Sequence, residues 1–246
     1  MRLHWLLLPA SLVLSLAAQA GTVTVGSFDG GNCYPFMCND SGTSTGISID
    51  YQQVYNSARF TSGPVKLTSE TFYYDANAGG NEAVLNGNYS VYLSTTSSSV
   101  SGLSSNLVSN RGTDWTLVWS GMLGGNFTNS FTITDTTAFN YNPANGNLLL
   151  EVIASNQQNV PGEGTKGKYV PPNGTGNGYN EADYTGTDTQ RAYCLTNFGC
   201  VGSTTGALVT TFAYSGQTSV PEPASLVLLG VGFLGLGLAG KKLRKS

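Results

Sequence analysis

Apolar residues recur at every second position along most of this chain, in short runs broken by glycine- and asparagine-rich turns. That pattern constrains the fold more than any other feature, because a period of two places alternate side chains on opposite faces of an extended strand. In Val65–Tyr74, Val65 and Leu67 share one face while Lys66, Thr68 and Glu70 share the other. Tyr89, Val91 and Leu93 group together, as do Trp115, Leu117 and Trp119, and Phe131 with Ile133. Leu148–Ile153 is apolar on both faces, as a central strand should be. Thr22–Val25 and Ala207–Tyr214 supply a first and a last strand. Ile47, Ile49 and Tyr51 alternate, which predicts a strand through about Tyr55 and a short helix or loop after it. Turns follow at Ala78–Asn81, Asn86–Asn88, Gly124–Asn126 and Asn142–Gly146. The expectation is all-β: one two-sheet sandwich or jelly-roll-like domain over residues 21–219. A mobile Gly/Pro-rich loop is expected at about 160–188. Charged residues make up only 10% of the chain, against about 25% in an average domain, which argues against helical bundles.

The two ends depart from this pattern. Met1–Ala20 reads as a secretory signal peptide: Arg2, then the apolar run Leu6–Leu16, then Ala18-Gln19-Ala20 as a small-x-small cleavage site. The expected mature start is Gly21. Cleavage removes His4, the only histidine, and leaves the body with six bases against thirteen acids, a net charge of −7. So acidic a body has no electrostatic footprint for nucleic acid. The other end runs Pro221-Glu222-Pro223, then an uncharged Leu/Val/Gly-rich stretch to Gly240, then Lys241, Lys242, Arg244 and Lys245. Residues 224–240 would form about 25 Å of helix, the lower edge of a membrane span, and the bases after it would stay cytoplasmic.

This three-part end resembles the PEP-CTERM sorting signal of Gram-negative bacteria, carried here by Pro221, Glu222 and Pro223, the glycine-containing span and the basic finish. The resemblance implies transient anchoring in the inner membrane, recognition by a protease-transferase called exosortase, and delivery to the cell surface or the exopolysaccharide matrix. The tail is also labelled an ice-binding protein C-terminal domain, a label that says nothing of the body. Physically, the two prolines hold the motif extended and outside any helix or sheet, within reach of a protease. The body resembles exported β-sandwich domains found upstream of such tails, through YQQVYNSARF (Tyr51–Phe60), YSVYLSTT (Tyr89–Thr96), FNYNPANGNLLLEV (Phe139–Val152) and LVTTFAY (Leu208–Tyr214). That family implies a fold and a location and no activity.

Four cysteines remain after export: Cys33, Cys38, Cys194 and Cys200. An even count in an exported chain reads as two disulfides. Three pairings are possible, and the local ones, Cys33–Cys38 and Cys194–Cys200, are favoured. A zinc site is the alternative; it would need all four thiolates, without the usual C-x₂-C spacing. The loss of histidine removes Ser-His-Asp and Cys-His chemistry. No phosphate-binding loop is present: the glycines of Gly174–Gly178 lack a following Lys-Ser/Thr. Paired-carboxylate glycan hydrolysis survives in principle. Asp50 and Glu70 look solvent-facing, while Glu151 shares a face with Leu149 and Ile153 and reads either as catalytic or as a rim position. Asp75, Asn77, Asn81 and Glu82 space oxygen ligands over a turn and form a candidate Ca²⁺ site, with a polar hairpin loop as the plainer reading. Trp115 and Trp119 default to core. Tyr73, Tyr92, Tyr179 and Tyr184 are the better candidates for exposed aromatics that would stack on sugar. The leading expectation is a non-enzymatic surface or matrix protein; the alternatives are an exopolysaccharide-binding module and, less favoured, a glycan hydrolase.

Overall fold

The structure is a computed structural model that describes residues 20–38, 47–60, 63–75, 83–158, 179–196 and 198–216. The segments expected to be a signal peptide, a sorting motif and a membrane span lie outside the described residues. The body is all-β. Its four-stranded antiparallel sheet runs in the order β1 (Ala20–Val25), β13 (Thr210–Gly216), β4 (Val65–Tyr73), β7 (Ser130–Tyr141). A six-stranded sheet runs β11 (Gly199–Thr204), β10 (Thr189–Leu195), β3 (Ile47–Tyr55), β8 (Asn147–Gln158), β5 (Ala83–Thr96), β6 (Thr116–Asn126). A third, small sheet joins β12 (Ala207–Leu208), β9 (Asn180–Asp183) and β2 (Gly30–Asn32).

The two large sheets enclose one apolar core in a β-sandwich-like arrangement. Alternation predicts which side chains enter it. Tyr51, Tyr55, Leu148, Leu150, Val152, Val91 and Leu93 come from the six-stranded sheet, and Leu67, Phe72, Phe131, Ile133 and Phe212 from the other. Gln53 also points inward, and its amide makes a two-way bond with the backbone of Leu208, 2.6 Å and 2.8 Å. That ties β3 to the small sheet and satisfies a buried polar group.

Both local disulfides, Cys33–Cys38 and Cys194–Cys200, are present. The first closes a loop that inserts Phe36 into the core, with ring centroids 4.8 Å from Phe72, 4.9 Å from Phe131 and 5.7 Å from Tyr89. Gln157 Nε2 donates to Pro35 O at 2.7 Å, holding the same loop from the six-stranded side.

Five expectations need correction. The turn expected at Asn86–Asn88 lies inside β5, where the register with β6 and β8 shifts instead. The proposed loop at 160–188 ends before Asn180, because Asn180–Asp183 pairs with both β2 and β12; residues 159–178 lie outside the described residues. The expected last strand divides at Val209, and its halves join different sheets. Glu70 does not face solvent but is fully buried. A bulge between Leu67 and Ser69 advances the strand by one residue and brings Glu70 onto the same face as Phe72. The Trp115/Leu117/Trp119 row is also broken: Tyr92 pairs with Leu117 and Val91 with Trp119, so Val118 is the extra residue. Val118 and Trp119 turn to the core, Leu117 is 43% exposed, and Trp115 precedes the strand.

Candidate functional site

The densest polar cluster in the body forms on the outer face of the six-stranded sheet. Leu149, Glu151 and Ile153 of β8 point outward there, beside Asp50, Gln52 and Val54 of β3. This part of the face is not open to water. Leu103 and Leu107, from the connection between β5 and β6, pack on Val54, Leu149 and Ala192 as a second apolar cluster. Gly112 lets that connection close tightly, since a Cβ there would lie 1.9 Å from Thr95 O.

Glu151 is therefore 1% exposed, in the middle of the sheet. Its burial is offset by a full set of donors. Arg111 Nε reaches Oε2 at 2.9 Å and an Arg111 terminal nitrogen reaches Oε1 at 2.8 Å, a bidentate pair. Gln52 Nε2 donates to Oε1 at 2.8 Å, and Trp115 Nε1 to Oε2 at 2.6 Å. Asn110 extends the network by donating to Gln52 Oε1 at 2.8 Å. The Trp115 ring stacks on Tyr92 with centroids 4.1 Å apart and planes within 6°. The Arg111 guanidinium lies 4.4 Å from the same indole. Trp115 is thus stacked on Tyr92 and held beside Arg111, with 36% of its surface still exposed.

Asp50 sits at the edge of this network, its Oδ2 3.7 Å from Arg111. Burial first, then the neighbouring Glu151 charge and a hydrogen bond to Glu151, push its carboxyl up to about 7. Asp50 Oδ1 has no N–H or O–H donor among the described residues. The two carboxyls share one cation, the Arg111 guanidinium, 2.8 Å from Glu151 and 3.7 Å from Asp50. Glycosidases instead hold their acids about 5–9.5 Å apart, with the sugar or a water between them. This cluster fastens the β5–β6 connection to the sheet.

A second carboxyl pair lies inside the sandwich. Glu70 on β4 and Asp135 on β7 are electrostatic neighbours, their four carboxyl oxygens have no N–H or O–H donor among the described residues, and burial is the main cause of both shifts. Burial and then the charge of Asp135 raise Glu70 well above the usual range; Asp135 rises to about 6.

Comparison with known proteins bears on the C-terminus. Residues 219–245 match the PEP-CTERM protein-sorting motif. The match spans Pro221, Glu222 and Pro223, the uncharged stretch and all four terminal bases. The PEP-CTERM motif implies exosortase as the processing enzyme, and with it export and transient membrane anchoring. No curated protein and no solved structure matches the chain.

The remaining sequence candidates fall as follows. Asp75 is buried, and its backbone N–H donates to Tyr179 O at 2.7 Å; Asn77, Asn81 and Glu82 lie outside the described residues. Among the described residues no three His, Cys, Asp or Glu side chains are grouped to hold a metal ion. Nor is any described helix long and apolar enough to cross a membrane. Tyr184 is 46% exposed, while Tyr73, Tyr92 and Tyr179 are half-buried. Sequence reasoning missed Arg111, Gln52 and Asn110 altogether. The only signal for Arg111 and Asn110 is a charged and an amide side chain in a connection that also carries Leu103 and Leu107; Gln52 sits on β3.

Proposed function

We propose that this chain is a non-enzymatic cell-surface or matrix protein, a β-sandwich-like domain carried across the inner membrane and released from its anchor by an exosortase. The observation that carries this reading is the sorting motif at residues 219–245. Its place in the chain supports it: the last described strand ends at Gly216, five residues before Pro221. The motif therefore follows that strand closely in the sequence. Two disulfides agree with an oxidising destination. The proposal of no catalysis is supported by the state of the acids, since Asp50 and Glu151 share the Arg111 guanidinium and Glu151 is saturated by Arg111, Gln52 and Trp115.

The test replaces Pro221, Glu222 and Pro223 together by alanine in cells that carry the sorting enzyme. The expected result is loss of surface delivery, with the unprocessed chain held in the inner membrane. Unchanged delivery of a processed product would refute the reading. A second reading, that the domain binds the polysaccharide of the matrix, is favoured by the hydroxyl-covered face of the four-stranded sheet.

A further inference from the structure

The outer face of the four-stranded sheet carries an ordered set of hydroxyls that the sequence does not announce. Register builds it. Thr24 of β1 lies opposite Thr211 of β13, Thr211 opposite Thr71 of β4, and Thr71 opposite Thr132 of β7. One unbroken row of four threonines thus crosses the whole sheet. The neighbouring row reads Thr22, Ala213, Ser69, Thr134 in the same order. Strands lie about 4.8 Å apart and successive outward residues about 6.7 Å apart, so the rows form a regular grid roughly 14 Å wide. The opposite side chains, Val23, Phe212, Phe72, Phe131 and Ile133, pack in or against the core, which fixes the threonines outward. Thr22, Thr24, Thr132 and Thr134, on the two edge strands, are exposed.

The hydroxyls are partly organised among themselves. Thr24 and Thr211 are 2.5 Å apart, Thr71 and Thr132 2.8 Å, and the Tyr73 hydroxyl lies 2.6 Å from Thr211. Each hydroxyl has one donor and two acceptor sites, so these bonds fix orientation and still leave acceptors facing outward. No charged residue stands in either row, although the body carries −7. Beside the grid, on Tyr73, lies Phe28: 58% exposed, ring centroids 5.5 Å apart, planes at 70°. Phe28 stands outside the apolar core, and its ring meets Tyr73 edge-on.

We propose that this face is a docking surface for an extended neutral polysaccharide, with the threonine grid exchanging hydrogen bonds with sugar hydroxyls and the Phe28–Tyr73 pair meeting the apolar face of a ring. The proposal rests on the reading that the domain binds the matrix. Charge decides the polymer class. An uncharged grid on an acidic body complements a neutral chain, whereas a polyanion meets net repulsion and no cation in the rows. The aromatic pair decides for sugar over a plain hydroxylated surface, since pyranose rings present an apolar C–H face.

The test is co-sedimentation of the detergent-solubilised full chain with microcrystalline cellulose as the neutral probe, and with calcium alginate gel as the anionic one. The expected result is binding to cellulose and not to alginate, weakened at least tenfold by combining Thr24→Glu with Thr132→Glu. Ser120→Glu, at an exposed position on the other large sheet, should bind as the unmodified chain does. If the double variant does not fold, Phe28→Ala gives the same reading from an exposed side chain, with an expected loss of at least threefold. Four results would overturn the proposal: no binding to cellulose, preference for alginate, cellulose binding that none of the grid or Phe28 changes weakens, or arrest of ice growth without cellulose binding. Binding is measured on purified protein, so a failure of sorting in cells leaves this outcome unaffected.

Discussion

Replacing Phe36 by alanine should destabilise the β domain more than cutting the disulfide that holds it. Phe36 is 0% exposed although it belongs to the six-residue loop Cys33–Cys38 and not to a strand. Its ring contacts come from β4 and β7 on one side and β5 on the other, so the space it fills is bounded by both sheets. Walls paired by strand hydrogen bonds cannot collapse onto a void, and a Phe→Ala change in such a site costs about 3–5 kcal/mol. The Cys33–Cys38 bond closes a loop of only about six residues, for which chain entropy gives about 2 kcal/mol. Urea unfolding of the two variants at constant m value separates the effects. The expected order is Phe36→Ala below Cys33→Ser/Cys38→Ser, with the triple change costing less than the sum, because a released loop already withdraws part of the ring. A loss under about 1 kcal/mol for Phe36→Ala would refute the view that this loop plugs the core.

The other predictions concern the polar groups. Asp50 is held at about 7 and Asp135 at about 6, and burial raises Glu70 well above the usual carboxylate range. The folded state therefore binds protons that the unfolded chain has released, and this stability is full below about pH 4 and lost as pH rises through 6 and 7. Chemical denaturation should give a higher midpoint at pH 5 than at pH 8, and Glu70→Gln should flatten the difference; a rising midpoint would contradict the assignment. Glu151→Ala strands the Arg111 charge and the Trp115 N–H and should cost about 3–5 kcal/mol, read by the same unfolding and by a change in tryptophan fluorescence. Gly112→Ala should shift that fluorescence as well, because the added Cβ forces the β5–β6 connection off Thr95.

Strand positions were legible wherever pairing is regular. Alternation puts Tyr51 and Tyr55 on one face of β3, and Leu148 and Leu150 on one face of β8; the structure shows that these are the inward faces. It fails at Glu70 and at Leu117, where one extra residue in a strand reverses the phase, and nothing local in the sequence marks a bulge. The Glu151 network was half-visible: a carboxylate between Leu149 and Ile153 is conspicuous, but its partners come from a connection some forty residues earlier. The threonine rows were invisible, since Thr24, Thr71, Thr132 and Thr211 become neighbours only through the register of four strands. The sorting motif, by contrast, is linear. Recognition of an extended tripeptide followed by an apolar stretch and bases needs no tertiary structure, so it can be read directly.

The measurement that bears most directly on the central claim is the intact mass of the surface-exposed protein, taken from cells carrying the sorting enzyme. The account predicts a chain that starts near Gly21, ends near Pro221–Pro223, and has all four cysteines oxidised. Recovery of the bulk of that protein with Lys241–Ser246 still attached would contradict it.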